Sequence, residues 1–100
     1  MSRTYYTDYV RHILRFYSRY SATTPPFKSE VDKQNWWSCH RAIESYSHAT
    51  KQMLLSVYSG HDTLPDEVYI ASQKWKVDQN WIWDTMKEFE RKVARKRGLL

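Results

Sequence analysis

An all-α fold is predicted by two features of the sequence. Glycine and proline are scarce, with two and three copies in 100 residues, and they separate a few long blocks instead of many short ones. Within each block, apolar side chains recur every three to four residues, which is the period of one helix face. Hydrophobic residues make up 41% of the chain and aromatic residues 16%, so about five helices around one core are expected in a single domain.

The first predicted helix runs from Thr4 to Tyr20, and Pro25 and Pro26 follow it as a linker, because proline rings bar helical continuation. Residues 1–27 thus form a helix and a linker ahead of a helical core in residues 28–100. The apolar face of this helix consists of Tyr6, Tyr9, Val10, Ile13, Leu14, Phe16 and Tyr17. Three basic side chains are expected on the opposite, solvent-exposed face: Arg11, Arg15 and Arg19.

Serine residues begin the next two predicted helices, because a serine hydroxyl caps a backbone N–H group that has no partner within the helix. Ser29 starts a helix that extends to about Ser45. Ser47 precedes a third helix that includes Lys51–Tyr58 and stops at Gly60. The buried stripe predicted for the second helix is Trp36, Cys39 or His40, and Ile43. The stripe predicted for the third is Met53, Leu54, Val57 and Tyr58.

Two further helices are predicted in the last forty residues. Thr63 caps a helix whose first turn holds a proline and two acidic residues, and this helix ends near Trp75. Asp78 caps the last and longest helix, which runs through Arg97 and stops at Gly98. The buried stripe predicted for the last helix is Ile82, Thr85 or Met86, Phe89 and Val93.

The last two predicted helices have the arrangement of a helix-turn-helix unit, at about residues 66–97. Their connection, around Lys76 and Val77, is short, as such a unit requires. Ala71 and Ser72 are small enough for the second helix to cross close by. Apolar residues flank the turn at Trp75, Val77 and Ile82.

This part of the chain resembles the fourth region of bacterial sigma factors and the sigma-like helix-turn-helix regulators of phages and mobile elements. The resemblance covers about Ala42–Leu100. It rests on the helix with the run Met53–Tyr58, the loop with Gly60, the opening segment Asp66–Ala71 and the basic helix end Phe89–Leu100. It implies duplex-DNA binding by the helix that starts near Asp78, and contact with RNA polymerase. Many helix-turn-helix units have glycine in the turn, where this chain has Lys76.

Polar and basic residues of the last helix suggest how DNA is contacted. Between residues 85 and 100, six basic side chains accompany two acidic ones, which is most of the net charge of +5. We expect Gln79, Asn80 and Trp83 to contact bases, because amide side chains pair with adenine in the major groove. The residues expected to contact phosphates are Lys74, Lys76, Lys87, Arg91, Lys92 and Arg95. A homodimer is a further expectation, because one reading helix has modest specificity.

Two other functions compete with DNA binding. A protein-interaction module or adaptor would dock through exposed aromatic residues, with Trp36, Trp37, Trp81 and Trp83 as anchors. Peripheral membrane binding through the basic last helix is less well supported, because Glu88 and Glu90 interrupt the polar face.

Several classes of protein are not expected from this sequence. With glycine at positions 60 and 98 alone, no glycine-rich phosphate loop is possible, and no two histidines have the spacing of a helical metal pair. We therefore predict no enzymatic activity, no cofactor and no metal. Cys39 is the only cysteine and is expected to be a small buried residue in a cytoplasmic protein. No apolar run is long enough for a signal peptide or a membrane span.

Overall fold

The computed structural model describes residues 5–21 and 23–100. These residues form five α-helices and no strand, which confirms the predicted all-α fold. The predicted start of the first helix at Thr4 lies outside the described residues. The helices are α1 (Thr7–Arg19), α2 (Glu30–Ile43), α3 (His48–Ser59), α4 (Leu64–Trp75) and α5 (Gln79–Arg97).

Three of the predicted helix caps make the expected hydrogen bonds. The side chains of Ser29, Ser47 and Asp78 accept from the backbone N–H groups three, three and two residues later, at 3.1, 3.3 and 2.7 Å. Thr63 lies at the start of α4 but makes no such bond; its hydroxyl donates to the carboxylate of Asp66 at 3.0 Å. Local polar side chains therefore help to determine where α2, α3 and α5 begin.

The two glycines end their helices for different reasons. Gly98 follows α5 in the left-handed conformation, with φ of 82°, as expected for a glycine stop. Gly60 follows α3 in an extended conformation that any residue can adopt. A Cβ atom on Gly60 would overlap the carboxyl group of Glu67, which accepts a hydrogen bond from the backbone N–H of Asp62. That carboxyl group is the far end of a flexible side chain, so a larger residue at position 60 would require it to move.

Helix α1 occupies the middle of the fold and packs against α2, α3 and α5. Val10, Leu14 and Tyr17 are fully or almost fully buried, whereas Tyr9 and Phe16 are about 40% exposed. The predicted apolar face of α1 was therefore too wide by these two aromatic residues. At the start of the described chain, the hydroxyl of Tyr5 donates to the backbone carbonyl of Leu99.

The buried stripes predicted for the other helices are confirmed. Trp36, Cys39 and Ile43 of α2 lie in the core, and burial raises the pKa of the Cys39 thiol well above its usual value. His40 is half-buried and stacks on Trp36, with ring centroids 4.7 Å apart. The predicted inward residues of α3 and α5 that are buried are Met53, Leu54, Val57, Tyr58, Ile82, Met86, Phe89 and Val93.

A buried carboxylate connects three helices. Glu90 of α5 is only 3% exposed, and its Oε2 atom accepts from Arg11 Nε of α1 at 2.9 Å. The same oxygen accepts from the Tyr58 hydroxyl of α3 at 2.6 Å. The predicted placement of Arg11 in solvent and of Glu90 on a polar surface was wrong. Periodicity suggests polar faces for both residues, but their long side chains meet inside the fold.

Replacing Arg11 by methionine should lower the free energy of unfolding by about 3 kcal/mol, because the buried Glu90 carboxyl group would lose its cationic partner. Urea denaturation monitored by circular dichroism measures the loss. Arg15→Met on the exposed side of α1 is the matched control and should change stability by less than about 0.5 kcal/mol. Equal losses in the two variants would contradict a structural role for the ion pair.

Stability should decrease as pH rises above about 10, because buried tyrosines keep their protons only in the folded chain. Burial, followed by the charge of Glu90, raises the pKa of Tyr58 well above 10, and burial raises that of Tyr17 to about 12. Tyr58→Phe should therefore reduce the fall in unfolding free energy between pH 8 and pH 11 by about 1.4 kcal/mol in total. Urea titrations across this pH range measure the fall in both proteins, and an unchanged fall would argue against this account.

Candidate nucleic-acid interface

Three residues, Lys76, Val77 and Asp78, separate α4 from α5. Lys76 adopts the left-handed conformation, with φ of 55° and ψ of 49°. The backbone N–H groups of Lys76 and Val77 both donate to the carbonyl of Ser72 in the last turn of α4. The lysine therefore adopts the conformation for which glycine is the usual residue in such a turn.

Apolar packing holds this turn against the rest of the fold. Ala71 and Ser72 of α4 are 1% and 6% exposed, and Ile82 of α5 is fully buried. Trp75 and Val77, before and inside the turn, are half-buried and pack against the core. These five residues are the ones that the sequence predicted to surround the turn. Their burial indicates that α4 and α5 have a defined relative position.

One face of α5 points into solvent and carries four of the nine predicted DNA contacts. Because an α-helix turns about 100° per residue, Asn80, Asp84, Lys87, Arg91 and Arg95 share one face. All five are exposed. At about 1.5 Å per residue, this outward stripe extends about 22 Å along the helix. It combines one amide, one carboxylate and three cations.

The three predicted base-contacting residues lie in different surroundings. Gln79 and Asn80 are exposed at the amino-terminal end of α5. Trp83 is half-buried and packs against the core, and the guanidinium carbon of Arg11 lies 6.0 Å from its ring centroid. The structure therefore brings the two amides together and places the indole at the border between α5 and α1.

The three predicted phosphate-contacting residues outside the outward stripe lie in two places. Lys74 and Lys76 are exposed near the turn, beside the amino-terminal end of α5. Lys92 lies apart from the outward stripe, because its ammonium group contacts Ser45 Oγ at 3.0 Å and Glu88 Oε1 at 3.3 Å. Its nitrogen is also 4.5 Å from the ring centroid of Tyr46. These contacts direct Lys92 toward the connection between α2 and α3.

A further hydrogen bond joins two of the residues that Lys92 contacts, Tyr46 and Glu88. The hydroxyl of Tyr46 donates to Glu88 Oε1 at 2.8 Å. This bond, together with the one from Lys92, lowers the pKa of Glu88, while burial and the neighbouring carboxylate raise the pKa of Tyr46. Glu88 therefore remains ionised and opposes part of the Lys92 charge.

A second cationic surface was not found from the sequence. It is a groove of about 500 Å³ between α2 and the end of α5. Trp37 lines it, and Arg41 lies over this ring with its guanidinium carbon 5.9 Å from the centroid. The other basic residues of the groove are Lys33, Lys96 and Arg97. Lys33 and Arg41 share a face of α2 at a spacing of eight residues, but no periodic signal indicates that this face meets the end of α5.

The predicted interaction anchors differ in their exposure to solvent. Trp36 is 3% exposed and belongs to the core, so it cannot anchor a partner. Trp37 and Trp81 are 36% and 44% exposed and remain available for contacts.

Across residues 5–21 and 23–100, no cluster of three or more histidine, cysteine or acidic side chains has the arrangement of a metal site. None of the helices in these ranges combines the length and apolar character needed to cross a membrane.

The left-handed lysine generates a prediction about the turn. Lys76→Gly should raise the free energy of unfolding by about 1 kcal/mol, because glycine adopts a positive φ without the Cβ clash. Lys76→Ala removes the same charge but keeps the Cβ atom, so it should bring no such gain. Urea denaturation of both variants measures the difference. If alanine stabilised the protein as much as glycine, repulsion by the lysine charge would be the cause instead.

No family model, curated protein or solved structure matches this chain. The resemblance to the fourth region of sigma factors therefore rests on the sequence features from which it was drawn. A function for the chain has to be argued from its own surfaces, of which the outward stripe of α5 is the one that the sequence also selected.

Proposed function

We propose that this protein is a transcriptional regulator that binds duplex DNA and reads it with the amino-terminal end of α5. The observation that carries the proposal is the outward stripe, in which Asn80 precedes three exposed cations on the same helix face. Asparagine can pair with an adenine edge through both the oxygen and the nitrogen of its side-chain amide, and cations bind phosphates. A short, well-packed turn supports the proposal, because it presents this face as a rigid unit.

In this proposal the two ends of α5 have different tasks. Gln79 and Asn80 contact base edges in the major groove, where the helix enters. Lys87, Arg91 and Arg95 bind phosphates as the helix leaves the groove, about 10–22 Å from Asn80. Their contacts are independent of sequence and set the affinity and its salt dependence.

Other residues have smaller parts in the proposed complex. Lys74 and Lys76 lie beside the entry point and can hold the phosphates there. Trp83 and Lys92 contribute less than the sequence suggested, because both are already engaged in contacts within the fold. Asp84 lies on the same face, where it can accept from the amino group of a cytosine.

We further propose that the protein acts on bacterial promoters, in the cytoplasm of a bacterium or on its mobile elements, with RNA polymerase as a partner. The resemblance to sigma factors supports this assignment. Exposed apolar side chains near the turn support a protein contact: Tyr69 and Ile70 of α4 are 55% and 49% exposed, and Trp81 of α5 is 44% exposed. Polymerase or a second copy would add the specificity that one reading helix lacks.

Charge reversal on α5 tests the proposed DNA footprint. Arg91→Glu/Arg95→Glu should abolish binding to a labelled random-sequence duplex and reduce the salt dependence, because two phosphate contacts are lost. Arg15→Glu/Arg19→Glu on α1 makes the same change in net charge and should retain most of the affinity. Fluorescence anisotropy at several salt concentrations measures both. Similar losses in the two variants, or no binding of the parent protein at low salt, would refute the proposed interface.

Asn80 is tested separately, because losing a base contact lowers the affinity for particular sequences, whereas losing a phosphate contact lowers the affinity for all sequences. Once selection from random duplexes has given a preferred sequence, Asn80→Ala should cost about 1–3 kcal/mol at a single base pair. Binding to random DNA should change little. Anisotropy titrations with each single-base variant of the selected duplex locate the affected position. A uniform loss across all sequences would assign Asn80 to the backbone instead.

A further inference from the structure

A second groove of the structure has a different chemistry from the first. It runs between α1, the Pro-Pro linker and the start of α2, and has a volume of about 760 Å³. We call it the α1–linker groove. The proposed DNA contacts are on α4 and α5 and none of them lines it. Its apolar lining includes Tyr9, Ile13, Phe16, Tyr20, Phe27 and Val31.

Several apolar side chains in the lining of the groove are exposed to solvent. Phe16, Tyr20 and Val31 are 39%, 47% and 50% exposed. The rings of Phe16 and Tyr20 lie against each other, with centroids 5.0 Å apart. Contiguous exposed side chains of this kind are typical of a surface that a partner covers, whereas single ones are common on any protein.

The groove is held in shape by the core beneath it. Ile13 and Asn35 form its floor and are 4% and 8% exposed. The Oδ1 atom of Asn35 accepts from the Tyr9 hydroxyl at 3.2 Å and from Arg97 Nε at 2.6 Å. Pro25 and Pro26 restrict the backbone of the opposite wall. A partner would therefore meet a largely preformed surface, which lowers the entropic cost of binding.

The rim of the groove is positively charged. Arg15 and Arg19 of α1 lie one turn apart beside Phe16 and Tyr20, and Lys28 lies on the opposite wall. Within the described ranges of the chain, none of these three cations forms an ion pair with a carboxylate. Asp32 is the one acidic side chain in the lining. The rim thus attracts negative charge, while the centre favours apolar side chains.

We propose that the α1–linker groove docks an acidic amphipathic helix of a partner protein. Apolar side chains one turn apart would fill the space between Phe16, Tyr20 and Val31, and carboxylates beside them would pair with the cations of the rim. We choose a helix because the groove lies between α1 and the linker and offers no strand edge with which an extended peptide could pair. A second copy of the chain suits it less well, because its own net charge is +5.

The proposal does not rest on DNA binding, and the two can be tested apart. A library of random sequences displayed on one face of a stable helical scaffold supplies the probe. We expect selection on the parent protein to enrich apolar residues at i and i+3 or i+4, flanked by aspartate or glutamate. The tightest binder, prepared as a labelled peptide, should lose at least about tenfold in affinity for Phe16→Ser and for Arg15→Glu/Arg19→Glu.

The matched control carries the same charge reversal on α5 instead of in the α1–linker groove. Arg91→Glu/Arg95→Glu should keep full affinity for the peptide, whatever it does to DNA, and circular dichroism checks that every variant is folded. Three results would overturn the proposal: no enrichment of acidic amphipathic sequences, peptide binding that groove substitutions leave unchanged, or a single-stranded oligonucleotide that binds the groove and displaces the peptide. Loss of peptide binding in both charge-reversal variants would also overturn it, because the attraction would then depend on net charge alone.

Discussion

The ion pair between Arg11 and Glu90 is the constraint on which the remaining structure depends. A carboxylate in the core is costly unless cations and hydrogen-bond donors surround it, and here α1 supplies the guanidinium and α3 the hydroxyl of Tyr58. Together with the buried apolar stripe of the same helix, the pair fixes the rotation of α5 about its own axis. With Glu90 turned inward, Arg91 and Arg95 have to face solvent. The surface chemistry of the last helix thus follows from a polar contact in the interior.

Local patterns were sufficient to predict the helices, because capping residues and apolar spacing act within a few positions. Ser29, Ser47 and Asp78 begin their helices as predicted. The errors arose where distant elements meet: Arg11 finds Glu90 across 79 positions, and the two grooves combine residues of α2 with those of α5 or α1. Of the candidate DNA interface, the stripe on one helix could be predicted, whereas the engagement of Trp83 and Lys92 could not.

The two proposed binding surfaces differ in the side chains that lie beside their cations. On α5 the charged side chains accompany polar ones, so a highly hydrated partner such as a phosphate backbone suits them. On α1 the charges surround aromatic rings, so a partner must bring apolar groups together with its carboxylates. The net charge of +5 does not distinguish these cases. The distinction comes from which side chains the fold places beside each arginine.

The contact between Tyr5 and the carbonyl of Leu99 has a consequence for the order of assembly. Helix α1 lies in the middle of the fold, yet its partners include α5, which is translated last of the five. During synthesis, α1 can pack against α2 and α3 first, whereas its contacts with α5 form only after the sequence of α5 has left the ribosome. Closing such a long loop is entropically slow compared with pairing adjacent helices. Until then the part of α1 that faces α5 stays exposed to solvent.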